Sequence, residues 1–157
     1  MKTLTIIPSR MSATRLPGKP LLKINGLSII SHVFKKAEQA DIGEVFVATE
    51  DQEIVDDVTK NGGNAILTSK NHKTGTDRIY EAFQIINSKD VDIILNLQGD
   101  EPAINIKDII GLNKKMISTQ SKMGTLAAEI KNFKDLENSN IVKVITKKDL
   151  KEDQFSL

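Results

Sequence analysis

Short apolar runs alternate with amphipathic segments along most of this 157-residue chain. Compact apolar runs between polar residues predict β-strands, here over Thr3–Ile7, Val45–Thr49, Ala65–Thr68, Val91–Leu97, Thr125–Ile130 and Ile141–Thr146. Apolar residues at helical spacing predict helices over Ile29–Ala40, Gln52–Lys60, Thr76–Ile86 and about Ile106–Ile117. Ser28 is placed to cap the first of these helices, and Asn61-Gly62-Gly63 to end the second.

This alternation predicts an α/β fold with a mostly parallel sheet and helices on both faces. Ligands of such folds collect beyond the carboxyl ends of the strands. We therefore expect the loops after Ile7, Thr49, Thr68 and Leu97 to share one rim. The length predicts a single domain over residues 1–157. The charged last segment of the chain, Lys147–Leu157, is typical of a frayed end or of an element cut short.

Composition narrows the classes of function. The formal net charge is only +1, from 22 basic and 21 acidic residues. The chain thus lacks a global field for nucleic acid or an anionic membrane, and any anion site must be local. Cysteine is absent, which excludes disulfides, thiolate zinc sites and a cysteine nucleophile. The first apolar run is too short for a signal peptide or a membrane span. We expect a soluble cytoplasmic domain without nucleic-acid or membrane partners.

The segment Ile6–Leu21, IIPSRMSATRLPGKPL, carries the first candidate chemistry. It opens at the end of a predicted strand and contains three cations, Arg10, Arg15 and Lys19. Two prolines, Pro17 and Pro20, disfavour helix there. A rigid cationic loop at the carboxyl end of a strand suits a polyphosphate, although such loops are also commonly just solvated.

Two familiar phosphate-binding motifs do not match. Gly18-Lys19 is followed by Pro20 where a P-loop requires Ser or Thr, and no glycine stands five residues before Gly18. No G-x-G-x-x-G follows a strand, so the dinucleotide fingerprint is missing as well. The chain is therefore neither a standard P-loop enzyme nor a standard dehydrogenase.

The segment LNLQGDEP, residues 95–102, places carboxylates on the same rim. Gly99 allows a tight turn as the chain leaves the sheet, and Asp100 and Glu101 follow it. Magnesium is commonly held by one or two carboxylates, water and the phosphates of the substrate. Asp100 facing a cationic loop thus fits a metal–triphosphate site. A turn in which Asp100 caps the next helix is an equally good interpretation.

The segment TSKNHKTGTDR, residues 68–78, ends at the start of a predicted helix. The amides of Gly75 and Thr76 there can receive an anion or a base edge. Arg78 in the first turn opposes the helix dipole, so it is easier to explain if it meets a ligand or Asp77. The alternative is a surface helix with a stray arginine.

The two histidines carry little chemistry at this stage. His32 lies within a predicted helix away from the rim, which favours a structural role. His72 has no second histidine nearby, so a zinc site is not favoured. No G-x-S-x-G elbow supports serine hydrolysis.

Taken together, IIPSRMSATRLPGKPL, VFVATED, TSKNHKTGTDR and ILNLQGDEP resemble the 3-deoxy-D-manno-octulosonate (KDO) cytidylyltransferases, also called CMP-KDO synthetases. The four motifs follow the family's order, and the similarity runs from Met1 to about Lys147. The resemblance implies a Rossmann-like nucleotide-diphospho-sugar transferase fold with a mixed, mostly parallel sheet. It also implies the conversion of CTP and KDO to CMP-KDO and pyrophosphate with Mg²⁺, toward lipopolysaccharide.

The resemblance also implies roles for individual residues. The loop from Arg10 to Lys19 would hold the triphosphate, and Asp100 would bind Mg²⁺. We thus expect Arg10, Lys19 and Asp100 to be catalytic. The substrate-binding residues would be Ser12, Arg15, Thr76, Arg78 and Gln98, with Arg78 helping to hold the nucleotide and Gln98 contacting the sugar acid.

Two departures from the family pattern qualify this expectation. Glu50 stands where many members place aspartate, a small change in reach. Family chains also continue well past Leu157, with further strands, sugar-acid-binding residues, a second metal-binding aspartate and much of a homodimer interface. We therefore expect a domain truncated at its carboxyl end. The alternatives are a cytidylyltransferase for another sugar acid, such as sialic acid, and a CTP-binding module without turnover.

Overall fold

The structure is a computed structural model that describes residues 1–12 and 16–145. The chain forms two compact units, Met1–Gly124 and Thr125–Leu157. The strands are β1 (Thr3–Ser9), β2 (Lys23–Ile24), β3 (Leu27–Ser28), β4 (Gly43–Thr49), β5 (Ala65–Leu67) and β6 (Ile93–Asn96). The α-helices are α1 (Ile29–Gln39), α2 (Gln52–Lys60), α3 (Gly75–Ile86), α4 (Ile106–Thr119) and α5 (Phe133–Glu137). The single-domain organisation stays a prediction.

Four strands form one parallel sheet in the order β5-β4-β1-β6. Strand β1 lies between β4 and β6 and continues to Ser9, two residues beyond the predicted end. Its last residues, Pro8 and Ser9, pair only with β4, because the pairing with β6 ends at Ile6. Pro8 therefore lies where β1 no longer pairs with β6. The sheet's carboxyl edge lies at this point, as expected.

Helices cover both faces of the sheet. One core contains apolar side chains of α1, α2 and α4 against the sheet face that carries Ile7, Val47 and Leu95. The other contains α3 residues Ile79 and Ala82 against the opposite face. The α/β class with helices on both faces, predicted from the alternation, is thus confirmed.

The predicted helices are confirmed to within two residues at each end, because the apolar positions of each helix face one of the two cores. A short antiparallel hairpin, β2–β3, was missed by the sequence reasoning. Its Asn25-Gly26 turn has positive φ at both residues, 50° and 83°. His32 Nε2 lies 2.8 Å from the Ile24 carbonyl oxygen at this hairpin, which agrees with the structural role expected of it. The antiparallel member expected in the main sheet is not among the described strands.

Two predicted strands are wrong where the structure describes them. Residues 125–130 and 141–145 form no strand, and Thr146 lies outside the described residues. An apolar run becomes a strand only when a neighbour pairs with it, and no described strand does so. The second unit instead contains the short helix α5, capped by the Asn132 side chain, which accepts from the Lys134 amide at 3.0 Å.

Across the described residues, no helix has the length and apolar character needed to cross a membrane.

Candidate functional site

A cleft of about 350 Å³ opens at the carboxyl edge of the sheet in the first unit. Its lining comes from the end of β1, the loop that follows it, the loop before α3 and the turn after β6. The lining residues are Pro8, Ser9, Arg10, Lys19, Pro20, His72, Lys73, Thr74, Gly75, Arg78, Gln98, Gly99 and Asp100. The fold therefore brings three of the sequence motifs to one site.

The cationic loop, residues 10–19, is held at its base by one backbone hydrogen bond and one hydrogen bond to a side chain. The Gly18 amide donates to the Met11 carbonyl at 3.0 Å, and the Met11 amide donates to Asp51 Oδ2 at 2.7 Å. Gly18 has φ of 72°, a left-handed conformation that favours glycine. A 3₁₀ turn, Lys19–Leu21, follows directly and buries Pro20. Lys19 is thus held on a fixed turn, and no described part of the loop is α-helical, as predicted.

Lys19 and Asp100 meet across the cleft. Lys19 Nζ lies 2.7 Å from Asp100 Oδ2 in a partly exposed ion pair. Helix α4 is capped by Asn105, whose side chain accepts from the Lys107 amide at 3.0 Å. Asp100 is therefore not the helix cap that the alternative interpretation required.

Gly99 brings the turn after β6 close to β1. A Cβ atom at Gly99 would lie 2.8 Å from the Pro8 carbonyl oxygen, which is closer than real Cβ contacts. The absence of a side chain at Gly99 lets the two strand ends approach, and Asp100 follows immediately. The sequence signal for this placement was the glycine itself.

Among the described residues, no group of three or more His, Cys, Asp or Glu side chains could hold a metal ion alone. Asp100 supplies one carboxylate at the mouth of the cleft, with a side chain 58% exposed. A hard cation such as Mg²⁺ accepts such a partial donor set when substrate phosphates and water complete it. The donor chemistry therefore fits Mg²⁺ bound together with a phosphate ligand.

Helix α3 begins at the cleft with a capping box. The Thr74 hydroxyl accepts from the Asp77 amide at 3.2 Å, and Asp77 Oδ2 accepts from the Thr74 amide at 3.2 Å. Gly75 and Thr76, the first two residues of the helix, have amides without intrahelical acceptors because of their position. Gly75 lines the cleft, so its amide is placed for an anion or a base edge.

Arg78 is buried at the floor of the cleft, with a side chain only 3% exposed. Its Nη1 donates to Thr68 Oγ1 at 2.6 Å and to the Ser69 carbonyl at 3.3 Å, and its Nη2 donates to Glu50. Of the two explanations offered for Arg78, a ligand or Asp77, the pairing with Asp77 is not observed, because the Asp77 carboxylate is used in the cap. The alternative interpretation, a surface helix with a stray arginine, is also wrong, because the Arg78 side chain is buried. Glu50, which stands where the family resemblance led us to expect aspartate, accepts the hydrogen bond of this guanidinium.

His72 and Glu81 form a pair that sequence reasoning missed. His72 Nε2 contacts Glu81 Oε2, and the same carboxylate accepts from the Ser69 amide at 2.9 Å. The hydrogen bond from His72 is the main cause that lowers the pKa of Glu81 below its ordinary value, and the Ser69 amide adds to it. Because the two residues are nine positions apart, only the fold of the loop onto α3 reveals the pair.

The cleft brings together five of the eight predicted site residues: Arg10, Lys19, Arg78, Gln98 and Asp100. Ser12 and Thr76 are exposed and do not line it. Arg15 lies outside the described residues. Lys73 lines the cleft and was missed, although it stands in a segment singled out from the sequence.

The charges that line the cleft favour an anion. Arg10, Lys19, Lys73 and Arg78 line it against one carboxylate, Asp100. Among the described residues, Arg78 is paired with Glu50 and Lys19 with Asp100, whereas Arg10 and Lys73 are lining cations without an ion-pair partner. Such a site can bind a polyphosphate and stabilise charge that develops on it.

A family model described as cytidylyltransferase matches residues 4–157 of the chain. The 3-deoxy-manno-octulosonate cytidylyltransferase of Nitrobacter hamburgensis is 45% identical over 92% of this chain and 56% of its own length. The protein of the same name from Rhodopseudomonas palustris strain BisB18 is 46% identical over 92% of this chain and 59% of its own length. The chain thus spans less than two thirds of these relatives.

Solved structures agree with these relatives. A CMP:2-keto-3-deoxy-manno-octonic acid synthetase complexed with CTP matches with a TM-score of 0.72 and 41% identity, over 77% of this chain and 49% of that one. A cytidylyltransferase from Leptospira borgpetersenii matches with a TM-score of 0.65 and 30% identity, over 76% of this chain and 50% of that one. Both comparisons confirm the nucleotidyltransferase fold predicted from the sequence.

Proposed function

Because the chain belongs to the cytidylyltransferase family, we propose that it transfers the cytidylyl group of CTP to KDO, giving CMP-KDO and pyrophosphate. The observation that carries this proposal is the cleft at the ends of β1 and β6. There Lys19 and Asp100 meet at 2.7 Å beside Arg10 and the start of α3. This combination of cations, one carboxylate and free helix amides suits a metal–triphosphate better than a neutral ligand.

The proposed reaction is an in-line displacement at the α-phosphorus of CTP. The anomeric hydroxyl oxygen of KDO forms the new bond to phosphorus and gives up its proton to water, as the bond to the pyrophosphate oxygen breaks. Such a transfer depends mostly on positioning and on neutralising phosphate charge. Arg10 and Lys19 would stabilise the charge that builds on the leaving pyrophosphate, and no side chain needs to form a covalent intermediate.

Asp100 would hold Mg²⁺ at the mouth of the cleft. The ion, when bound, neutralises phosphate charge and orients the triphosphate. Lys19 and Asp100 are paired in the structure, so binding of the metal–nucleotide would exchange this ion pair for two contacts to the ligand. Lys19 would contact a phosphate oxygen, and the Asp100 carboxylate would be available to the cation.

The other substrate contacts are proposed in two groups. Ser12, Arg15 and Thr76 would bind the nucleotide. Gln98, whose Nε2 lies 3.2 Å from Asn96 Oδ1, would contact the sugar acid. Arg78 would act on the nucleotide mainly by holding Thr68 and Ser69, at the start of the segment that leads to α3, because both its Nη atoms already have partners.

The cellular setting forms part of the proposal. Activated KDO is a precursor of lipopolysaccharide, and a reaction that uses CTP and Mg²⁺ is placed in the cytoplasm. The family resemblance supports a homodimer. The described residues that line the cleft all belong to the first unit, so we expect nucleotide binding without that dimer.

A second candidate is a CTP-binding module without turnover. It would need only the groups in the cleft that suit a triphosphate. The chain spans 56–59% of the length of these relatives. The shared part contains the cleft for the triphosphate. The rest of those relatives is not matched by this chain, so the comparison says nothing about how the sugar acid is bound.

Release of pyrophosphate tests the proposal directly. The chain is supplied with CTP, Mg²⁺ and either KDO or sialic acid, and pyrophosphate is detected by a coupled assay. We expect release of pyrophosphate with KDO and none with sialic acid. Release with sialic acid but not KDO would show that the substrate is wrong, and CTP binding without release from either acid would support the module.

A further inference from the structure

Asp51 is an acidic residue that the proposed reaction does not use. It follows β4 directly and precedes α2, at the position where a helix cap is expected. Aspartate is among the preferred residues at that position, because its carboxylate can accept from the amides of the first helical turn. The Asp51 side chain, however, makes no capping hydrogen bond to α2.

The carboxylate of Asp51 instead reaches the neighbouring strand end. Because β1 and β4 are parallel, with Ser9 opposite Thr49, the residues that follow them lie side by side. Asp51 Oδ2 accepts from the Met11 amide at 2.7 Å. The Asp51 amide is fixed in turn by Thr49 Oγ1 at 3.1 Å. The backbone amide of Asp51 is thus bound to the end of β4, and its carboxylate holds the loop after β1.

Met11 is the residue at which the cationic loop closes. Its amide is held by Asp51, and its carbonyl oxygen accepts from the Gly18 amide at 3.0 Å. Gly18 immediately precedes Lys19, whose Nζ reaches Asp100. Two hydrogen bonds and one peptide unit therefore connect the Asp51 carboxylate to the start of the 3₁₀ turn that carries Lys19.

The neighbouring acid, Glu50, serves the opposite wall. Its carboxylate accepts from Arg78, which holds Thr68 and Ser69. Neither Glu50 nor Asp51 lines the cleft. The two adjacent carboxylates after β4 therefore hold different segments beside the site, Glu50 through Arg78 and Asp51 through Met11, and neither carboxylate lines the cleft.

We propose that Asp51 is a positioning residue for nucleotide binding, which fixes the base of the cationic loop so that Arg10 and Lys19 face the triphosphate. This inference rests on the proposed function. It assigns to Asp51 a hydrogen-bonding role in which its negative charge is a disadvantage, because a carboxylate near the loop opposes an anionic ligand. The sign of this effect separates the proposal from simple electrostatics.

Two variants of Asp51 test the inference. Asp51→Ala removes both the charge and the acceptor, whereas Asp51→Asn removes the charge and keeps an acceptor of the same length. We expect Asp51→Ala to weaken binding of CTP with magnesium by about tenfold or more, as loss of a hydrogen bond to a charged acceptor does. Asp51→Asn should restore binding to within about threefold of the original chain.

Amide hydrogen exchange supplies a second readout that does not need a ligand. Asp51→Ala should speed exchange at the Met11 and Gly18 amides and leave Glu53 and Ile54 in α2 unchanged. Asp56→Ala is the matched control, since Asp56 is an exposed acid of the same region whose side chain accepts a hydrogen bond from Gln52 of its own helix at 2.8 Å. This control should change neither exchange at the loop nor binding of CTP.

Three results would overturn the inference. Tighter CTP binding by both Asp51 variants would indicate that charge alone matters. Faster exchange in the first turn of α2, with the loop unchanged, would make Asp51 a helix cap. Equal weakening by alanine and asparagine would remove the hydrogen-bonding role. If the original chain does not bind CTP, the proposed function fails, and exchange at Met11 and Gly18 still decides whether Asp51 holds the loop.

Discussion

The ion pair between Lys19 and Asp100 joins two residues that the proposed reaction needs for different groups. Lys19 must reach a phosphate oxygen and Asp100 must reach Mg²⁺, yet they bind each other at 2.7 Å. The pair keeps both side chains at the cleft before the ligand arrives. In the absence of Mg²⁺, Asp100 therefore competes with the phosphate for Lys19, and removing Asp100 should not weaken CTP binding under that condition.

The first prediction concerns Asp100→Ala. Without Mg²⁺, in the presence of a chelator, this variant should bind CTP at least as tightly as the original chain, because Lys19 is released from its partner. With Mg²⁺, the original chain should gain affinity and the variant should not. Calorimetric titration with CTP under both conditions measures the difference.

Glu101→Ala is the control for this experiment. Glu101 is the adjacent exposed carboxylate and has no place in the proposed site, so its variant should keep the full Mg²⁺ effect. An equal Mg²⁺ effect in Asp100→Ala and the original chain would contradict the assignment of Asp100 as the metal ligand.

A second residue-scale prediction follows from Glu81. Its pKa is lowered from the ordinary value of 4.5, chiefly by the hydrogen bond from His72. A carboxylate with a lowered pKa contributes stability above its ordinary pKa, and this contribution is lost as the pH falls through the pKa in the folded protein. Glu81→Gln should therefore be less stable than the original chain at neutral pH, and the difference should shrink below pH 4.5.

Urea unfolding at several pH values measures this difference. Glu53→Gln, which alters an exposed acid of α2, should change the free energy of unfolding little at any of them. A stability difference for Glu81→Gln that grows as the solution becomes acidic would disagree with the lowered pKa.

At the scale of elements, helices were predictable and strand partners were not. The helix α2 was predicted with its observed ends, since its apolar residues repeat at helical spacing and Asn61-Gly62-Gly63 stops it. Residues 125–130 are apolar enough for a strand but form none, because a strand also needs a neighbour that its own residues do not encode. The hairpin at Asn25-Gly26 carried a recognisable turn signal that was not used.

The same distinction holds within the site. Arg10, Lys19 and Asp100 were predictable because they lie in the segments that follow β1 and β6, and the ends of parallel strands meet. The contacts of Asp51 with Met11 and of Glu50 with Arg78 were not, since they join residues 40 and 28 positions apart. Such contacts depend on the register of the sheet and on side-chain directions.

Two glycines give the third prediction, which belongs to elements. Gly99→Ala should destabilise the fold by about 1–3 kcal/mol, because its Cβ would press on the Pro8 carbonyl and separate the ends of β1 and β6. Gly111→Ala in α4 should instead stabilise it by about 0.5–1 kcal/mol, since nothing lies within 4 Å of the added atom and alanine favours helix.

Thermal or urea unfolding of both variants provides the measurement, and Gly111→Ala serves as the control for adding a methyl group. We also expect Gly99→Ala to weaken CTP binding, as it displaces Asp100. Equal stability of the two variants would show that the close approach at Gly99 is not required.

At the scale of the whole molecule, the anion site is a local feature of a nearly neutral chain. The net charge of +1 gives no field that would attract nucleotides in general, so affinity must come from the cleft. Removing a cation from the cleft should then matter far more than removing one elsewhere. Lys19 and Lys35 allow this comparison, because Lys35 lies on the exposed side of α1.

The measurement that tests the central claim most directly is calorimetric titration of CTP with Mg²⁺ into the original chain, Lys19→Ala and Lys35→Ala. The proposed site predicts binding by the original chain and by Lys35→Ala with similar affinity. It predicts a loss of about ten- to a hundredfold in Lys19→Ala, the usual effect of removing a hydrogen bond to a charged group. Equal affinities for the two variants, or no binding by the original chain, would contradict a CTP site in this cleft.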